Sequence, residues 1–182
     1  MKRVVIPAVV LAAAGLLSTA CGSTDRTASV TASAPVADHN DRDVMFAQMM
    51  IPHHRQAVEM AKLAEDRAAE GQVKDLARKI EAAQEPEIQT MSGWLTAWGA
   101  RASGEHGMPG MMSGQDMEEL RGLSGAAFDR AFLTLMIQHH EGAVAMARQE
   151  QAGGAHEPAR RMAADIVSGQ SEEITTMRRL LR

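Results

Sequence analysis

From residue 40 onward, apolar positions recur every three or four residues, the spacing of one buried stripe on an α-helix. Over residues 40–69 the stripe is Asp43, Phe46, Met50, His53, Ala57, Met60 and Ala64. Over residues 72–100 it is Ala77, Ile80, Gln84, Glu87, Met91 and Trp94 or Leu95. No alternating run of Val, Ile or Thr marks a strand, and the good helix formers Ala, Met, Leu, Glu, Gln and Arg dominate. The expected fold class is all-α.

The pattern then repeats without a gap at an offset of 86 residues. Residues 126–151 carry Asp129, Phe132, Met136, His139, Ala143, Met146 and Glu150, and residues 156–181 carry Ala163, Ile166, Gln170, Glu173, Met177 and Leu180. Such a repeat means two copies of one structural unit. Each copy reads as a helical hairpin, with Gly71 dividing the first and Gly153 and Gly154 the second. A single hairpin cannot bury its own stripe, so the two are expected to pack as a four-helix bundle. This places repeat 1 at 40–100, a Met-rich linker at 101–125 and repeat 2 at 126–182. The linker is rich in Gly and reads as a long crossover loop, with a short helical turn near 116–123. Pro52 and Pro86 fall inside helices, but their copies are Gln138 and Glu172, so a kink is expected rather than a break.

A core explains apolar residues held in register; polar ones need another reason. His53 and His139 lie on the inward stripe, and His54 and His140 sit one step round, at its edge. Gln84 and Glu87, with their copies Gln170 and Glu173, also point inward. An unpaired buried carboxylate is costly, so each Glu is expected to hold the inward His of its hairpin. The other ring nitrogen is then free for a metal, with Asp43, Gln84, Glu87, Asp129, Gln170 and Glu173 as an outer layer of support.

The candidate ligands are His53, His54, His139 and His140, with Met50, Met60, Met136 and Met146 on the same faces. Met at helical spacing is also ordinary core filling, and a His–Glu bond an ordinary satisfied pair. Three features favour metal. Both His recur in each copy, Met flanks them, and the linker carries His106, Met108, Met111, Met112 and Met117, where a loop offers no core to fill. Imidazole and thioether together suit a soft ion, above all Cu(I). The cofactor expected is therefore copper, with the linker as a possible point of capture, and imidazole binding expected to weaken below the ordinary His pKa of about 6.5.

Composition adds a location. Lys2 and Arg3, apolar residues 4–17 and the small residues Ser18, Thr19 and Ala20 form a secretory leader over 1–20 that ends at Cys21, the single cysteine. The junction resembles a lipobox, so Cys21 is expected to carry lipid and residues 21–39 to form a flexible tether. The membrane is then reached by the lipid anchor alone, and the domain is extracytoplasmic. Without Lys2 and Arg3, 17 of the 19 basic residues remain against 23 acidic ones, a net charge of −6, which argues against nucleic acid as a partner. No feature points to a protein partner.

Three separated motifs carry a family resemblance: Met-Ile-Pro-His-His at 50–54, Phe-Asp-x-x-Phe-Leu-x-x-Met-Ile-x-His-His at 128–140, and Met-Pro-Gly-Met-Met at 108–112. Over about residues 40–182 the chain resembles the bacterial domain-of-unknown-function 305 family. The resemblance implies a ferritin-like four-helix bundle of two hairpins. Because some relatives are exported copper-binding proteins, described as copper chaperones or resistance proteins, it also implies a copper role at His53, His54, His139, His140 and the nearby Met. Two other readings stand beside a Cu(I) buffer or chaperone. One is a metal-free envelope interaction module with structural His–Glu pairs. The other is a di-metal oxidase, which suits ferritin-like architecture but wants Glu-x-x-His motifs that this chain lacks. No nucleophile–base pair or phosphate loop points to another enzyme.

Overall fold

Helix ends in this chain are fixed by side chains that bond free backbone N–H groups, and two of these side chains cross between the repeats. In the computed structural model, which describes residues 38–101 and 108–182, α1 spans Asp41–Arg67, α2 Gly71–Ala97, α3 Gly114–Gly122, α4 Gly125–Gly153 and α5 Glu157–Leu180. Asn40 caps α1, accepting from the N–H groups of Arg42 and Asp43 while Asp43 accepts from the N–H of Asn40 at 2.6 Å. Pro52 and Pro86 lie within continuous helices, so neither breaks its helix.

α1 packs on α2 and α4 on α5, giving the two hairpins; they join chiefly through α1 against α4, while α2 and α5 touch lightly. From Met108 onward the linker holds more than the short helical turn expected. Its α3 is a capped helix, with Ser113 and Asp116 forming a capping box, and it contributes Met117 and Leu120 to the core. The leader, Cys21, tether residues 21–37 and His106 lie outside the described residues. At the tether's end, His39 stacks on Trp98 with ring centroids 4.6 Å apart.

Every position of the stripes on α1 and α4 is buried. The apolar residues form two clusters. One holds Met60 and Met136 with Phe128, Phe132, Met112, Met117 and Leu120; the other holds Met50 and Met146 with Phe46, Ile51, Met91 and Ile166. Each therefore takes one ligand-candidate Met from each repeat, as two-fold pseudosymmetry requires. Ala47, Ala57, Ala61, Ala143 and Ala147 lie at 0–3% exposure and leave room for α1 and α4 to approach closely. Among the described residues no helix is long and apolar enough to cross a membrane.

Candidate metal centre

The four histidines are wholly buried, and the two repeats meet at the first of each pair. The rings of His53 and His139 lie 3.7 Å apart between centroids, tilted by 39°. His54 Nε2 stands 2.7 Å from Glu87 Oε2, and His140 Nε2 stands 2.7 Å from Glu173 Oε2. The expected pairing thus belongs to the second His of each hairpin, not to the first. The geometry gives the reason: the edge of the α1 stripe faces its own partner helix α2, whereas the centre of the stripe faces the other repeat.

Hydrogen bonding sets the protons. Carbonyl and carboxylate oxygens accept, so the Nε2–H of His54 and His140 donates to Glu87 and Glu173, and that of His53 to Pro109 O at 3.1 Å. Nδ1 of His53, His54 and His140 is in each case buried without a partner, and both ring nitrogens of His139 are likewise unpartnered. Burial and the neighbouring His54 push the His53 pKa down to about 3, and burial and His53 push that of His139 well below the usual His range. Their environments therefore favour neutral imidazoles, the state that binds metal.

Buried polar nitrogens without partners are costly, and a soft cation bound among them would satisfy several at once. The donors present therefore fit a copper-type ion. Among the described residues no group of three or more His, Cys, Asp and Glu forms a ready metal cage, so thioethers would have to complete the ligand set. Met50 and Met136 precede His53 and His139 by one turn on the same faces, and both are wholly buried; Met60 and Met146 are buried one further layer out.

Linker residues 108–112 form a strap over this centre. Gly110, at φ +79, packs against α4: a Cβ there would lie 2.8 Å from the carbonyl oxygen of Gln138 and 3.0 Å from that of His139. A Cβ on Gly142 would collide with Pro109 O. The Gln56 carboxamide holds the strap from the other repeat, accepting from Met112 N–H at 2.7 Å and donating to Met112 O at 3.0 Å. Gln56 and Gly142 are copies of one position, one used as a clamp and the other as clearance. The linker methionines also differ from expectation. Met112 and Met117 belong to the core and Met108 is buried, so packing accounts for much of what a free loop would leave unexplained. Met108, Met111, Met112 and Met117 still line one surface cleft of about 500 Å³.

The two aspartates do different work from that expected. Asp43 accepts from the N–H groups of Ala155 and His156 at 2.9–3.1 Å, and Asp129 from those of Ala69 and Glu70 at 3.0–3.1 Å. Each ties down the turn of the opposite hairpin. Asp43 and His53 are ten residues apart on one helix, about 15 Å, so Asp43 does not support the His layer; the same holds for Asp129 and His139. Gln84 and Gln170 are buried beside Glu87 and Glu173, with the Gln84 amide and Gln170 Oε1 unpartnered.

Comparison with known proteins agrees with the architecture. The sequence profile of DUF305, "Domain of unknown function (DUF305)", matches residues 43–181. A DUF305 protein of Streptomyces coelicolor, described as a candidate secreted protein, is 34% identical, with a TM-score of 0.74 over 80% of this chain and 94% of its own. A DUF305 fragment from Deinococcus radiodurans is 33% identical, with a TM-score of 0.72 over 78% and 96%. CopM in a Cu(I)-bound form is 34% identical, with a TM-score of 0.66 over 76% and 94%; CopM structures with Cu(II) and with Ag are similar to this chain as well. No curated protein sequence matches the chain.

Proposed function

Because this chain belongs to the DUF305 family, we propose that it is an exported lipoprotein that binds copper as Cu(I) and serves as a buffer or chaperone for the ion. The observation that carries this reading is the set of buried, unpartnered imidazole nitrogens on His53, His54, His139 and His140. Met50 and Met136 supply thioethers on the same faces, Glu87 and Glu173 orient the second imidazole of each pair, and Pro109 orients His53. Lacking a usable thiolate, such a set favours Cu(I) over Zn²⁺ or Mg²⁺. The strap 108–112 excludes water from the centre. Similarity to CopM, solved with Cu(I), supports the choice of ion. Cys21 carries the lipid that holds the domain outside the cytoplasmic membrane.

One observation favours a second reading. The His54–Glu87 and His140–Glu173 bonds, both 2.7 Å, give these buried imidazoles a partner within the protein, as a metal-free interaction module would require. Metal analysis of the purified mature domain, followed by Cu(I) titration against a competing chelator, separates the two. Binding that is lost in His53→Ala/His139→Ala supports the copper reading. Absence of copper, with the wild type giving way to the chelator throughout, supports the module.

A further inference from the structure

On the face opposite the strap, α2 and α5 leave a cleft of about 120 Å³ between them. Its lining includes Gln84, Glu87, Asp165, Gln170 and Glu173, with Gly169 at its side. Three carboxylates and two carboxamides thus converge with no basic residue in the lining. Gln84 is 2% exposed and Gln170 5%, yet the Gln84 carboxamide has no hydrogen-bond partner and Gln170 Oε1 has none either. Glu87 and Glu173 are 24% and 22% exposed at their side chains, and each is bonded to a wholly buried imidazole. These two carboxylates therefore touch solvent and the His layer at the same time.

Among the described residues, the strap is closely packed where it meets α1 and α4. Pro109 and Gly110 lie against the α4 backbone without room for a methyl group, and Gln56 clamps Met112 through two hydrogen bonds. We propose that the α2/α5 cleft is the mouth through which a cation reaches and leaves the buried histidines, its wall formed by the Gln84 and Gln170 carboxamides and the Glu87 and Glu173 carboxylates, whose charge draws the cation in. Negative charge in a cleft concentrates cations at its opening and raises their association rate. The next groups inward from the carboxylates are His54 and His140. This inference rests on the copper reading above and adds the route.

Gly169 allows a test that leaves every polar residue in place. A Cβ added there meets nothing within 4 Å, so Gly169→Leu starts a side chain from open space at the cleft and has better helix propensity. Gly93 has the same open surroundings away from the cleft, and Gly93→Leu is the control. The measurement is stopped-flow transfer of Cu(I) from a chromogenic chelator to the mature domain under anaerobic conditions, read as both rate and end point. Gly169→Leu is expected to slow uptake at least tenfold with its end point within twofold of wild type. Gly93→Leu is expected to match wild type, and the wild-type rate to fall with added salt. An unaltered rate in Gly169→Leu overturns the proposal while the copper reading stands. A weakened end point makes the cleft part of the resting site and also overturns it. No uptake by the wild type overturns both the route and the reading beneath it.

Discussion

His53 and His139, one from each repeat, lie with ring centroids 3.7 Å apart and planes tilted by 39° where α1 packs on α4. Neither helix alone brings two imidazoles together on its inward stripe. The pair exists only because a hairpin was duplicated and the copies packed face to face. Whatever the centre binds is therefore held by both halves, and loss of either imidazole is felt by the other.

The same crossing predicts how pH acts on binding. An ordinary His is mostly protonated at pH 5 and competes with metal. Burial holds the His53 pKa near 3 and that of His139 well below its usual range. Cu(I) binding through His53 and His139 should therefore lose less affinity between pH 7 and pH 5 than ordinary imidazoles, with a pKa of about 6.5, would lose. Chelator competition at both pH values checks it, and a tenfold or greater loss at pH 5 would point to exposed imidazoles instead.

Asp129→Ala should destabilise the fold without altering the metal site. The change leaves the N–H groups of Ala69 and Glu70 without their carboxylate, at a cost of about 3 kcal/mol. Urea unfolding should show a lower midpoint, while Cu(I) affinity of the folded fraction stays at the wild-type value.

Glu150 is a buried acid with no counterpart in the first repeat, where Ala64 stands. Its oxygens make no well-formed hydrogen bond, yet they crowd the Asp43 carboxylate over Gly154, where an added Cβ would strike both groups. Burial, with Asp43 beside it, pushes the Glu150 pKa up to about 8. Burial alone would raise Asp43 too, but Glu150 and the N–H groups of Asn40, His156 and Ala155 outweigh it and hold Asp43 below the ordinary carboxylate range. Folding therefore keeps a proton on Glu150 that the unfolded chain gives up above about pH 4.5. Its contribution is fully present below that pH and is lost as pH rises towards 8. Glu150→Gln should thus gain on wild type progressively from pH 4.5 to 8, by a few kcal/mol in order of magnitude. A constant difference across that range would remove the buried proton from the account.

Gly142→Ala should lift the strap. The new methyl collides with Pro109, and His53 loses its carbonyl acceptor as the strap moves. Stability should fall by about 2 kcal/mol, as overpacking does, and amide hydrogen exchange at Met111 and Met112 should rise more than in α2 or α5. Unchanged exchange in the strap would show that the close contact is not what holds it.

The fold was readable because its stripes repeat at a fixed offset, and the seven positions from Asp43 to Ala64, with their copies, all proved inward. Which His meets which partner was less accessible. Spacing places His53 and His54 on one helix face or the next, but whether the facing element is the hairpin partner or the other repeat depends on packing. The roles of Asp43 and Asp129 were hidden for a related reason: their partners are backbone N–H groups 112 and 60 residues away, which no side-chain pattern records. The strap left a weaker trace, the difference between Gln56 and its copy Gly142, one of several mismatches between the repeats: one clamps the single linker and the other makes room for it.

The central claim is that imidazole from both repeats binds copper together with thioether sulfur. Copper K-edge X-ray absorption on the Cu(I)-loaded mature domain reads those ligands directly. The account predicts a mixed nitrogen and sulfur shell that loses nitrogen in His53→Ala/His139→Ala and keeps it in Met108→Leu/Met111→Leu/Met112→Leu. A shell of sulfur alone, unaltered by the His substitutions, would contradict it.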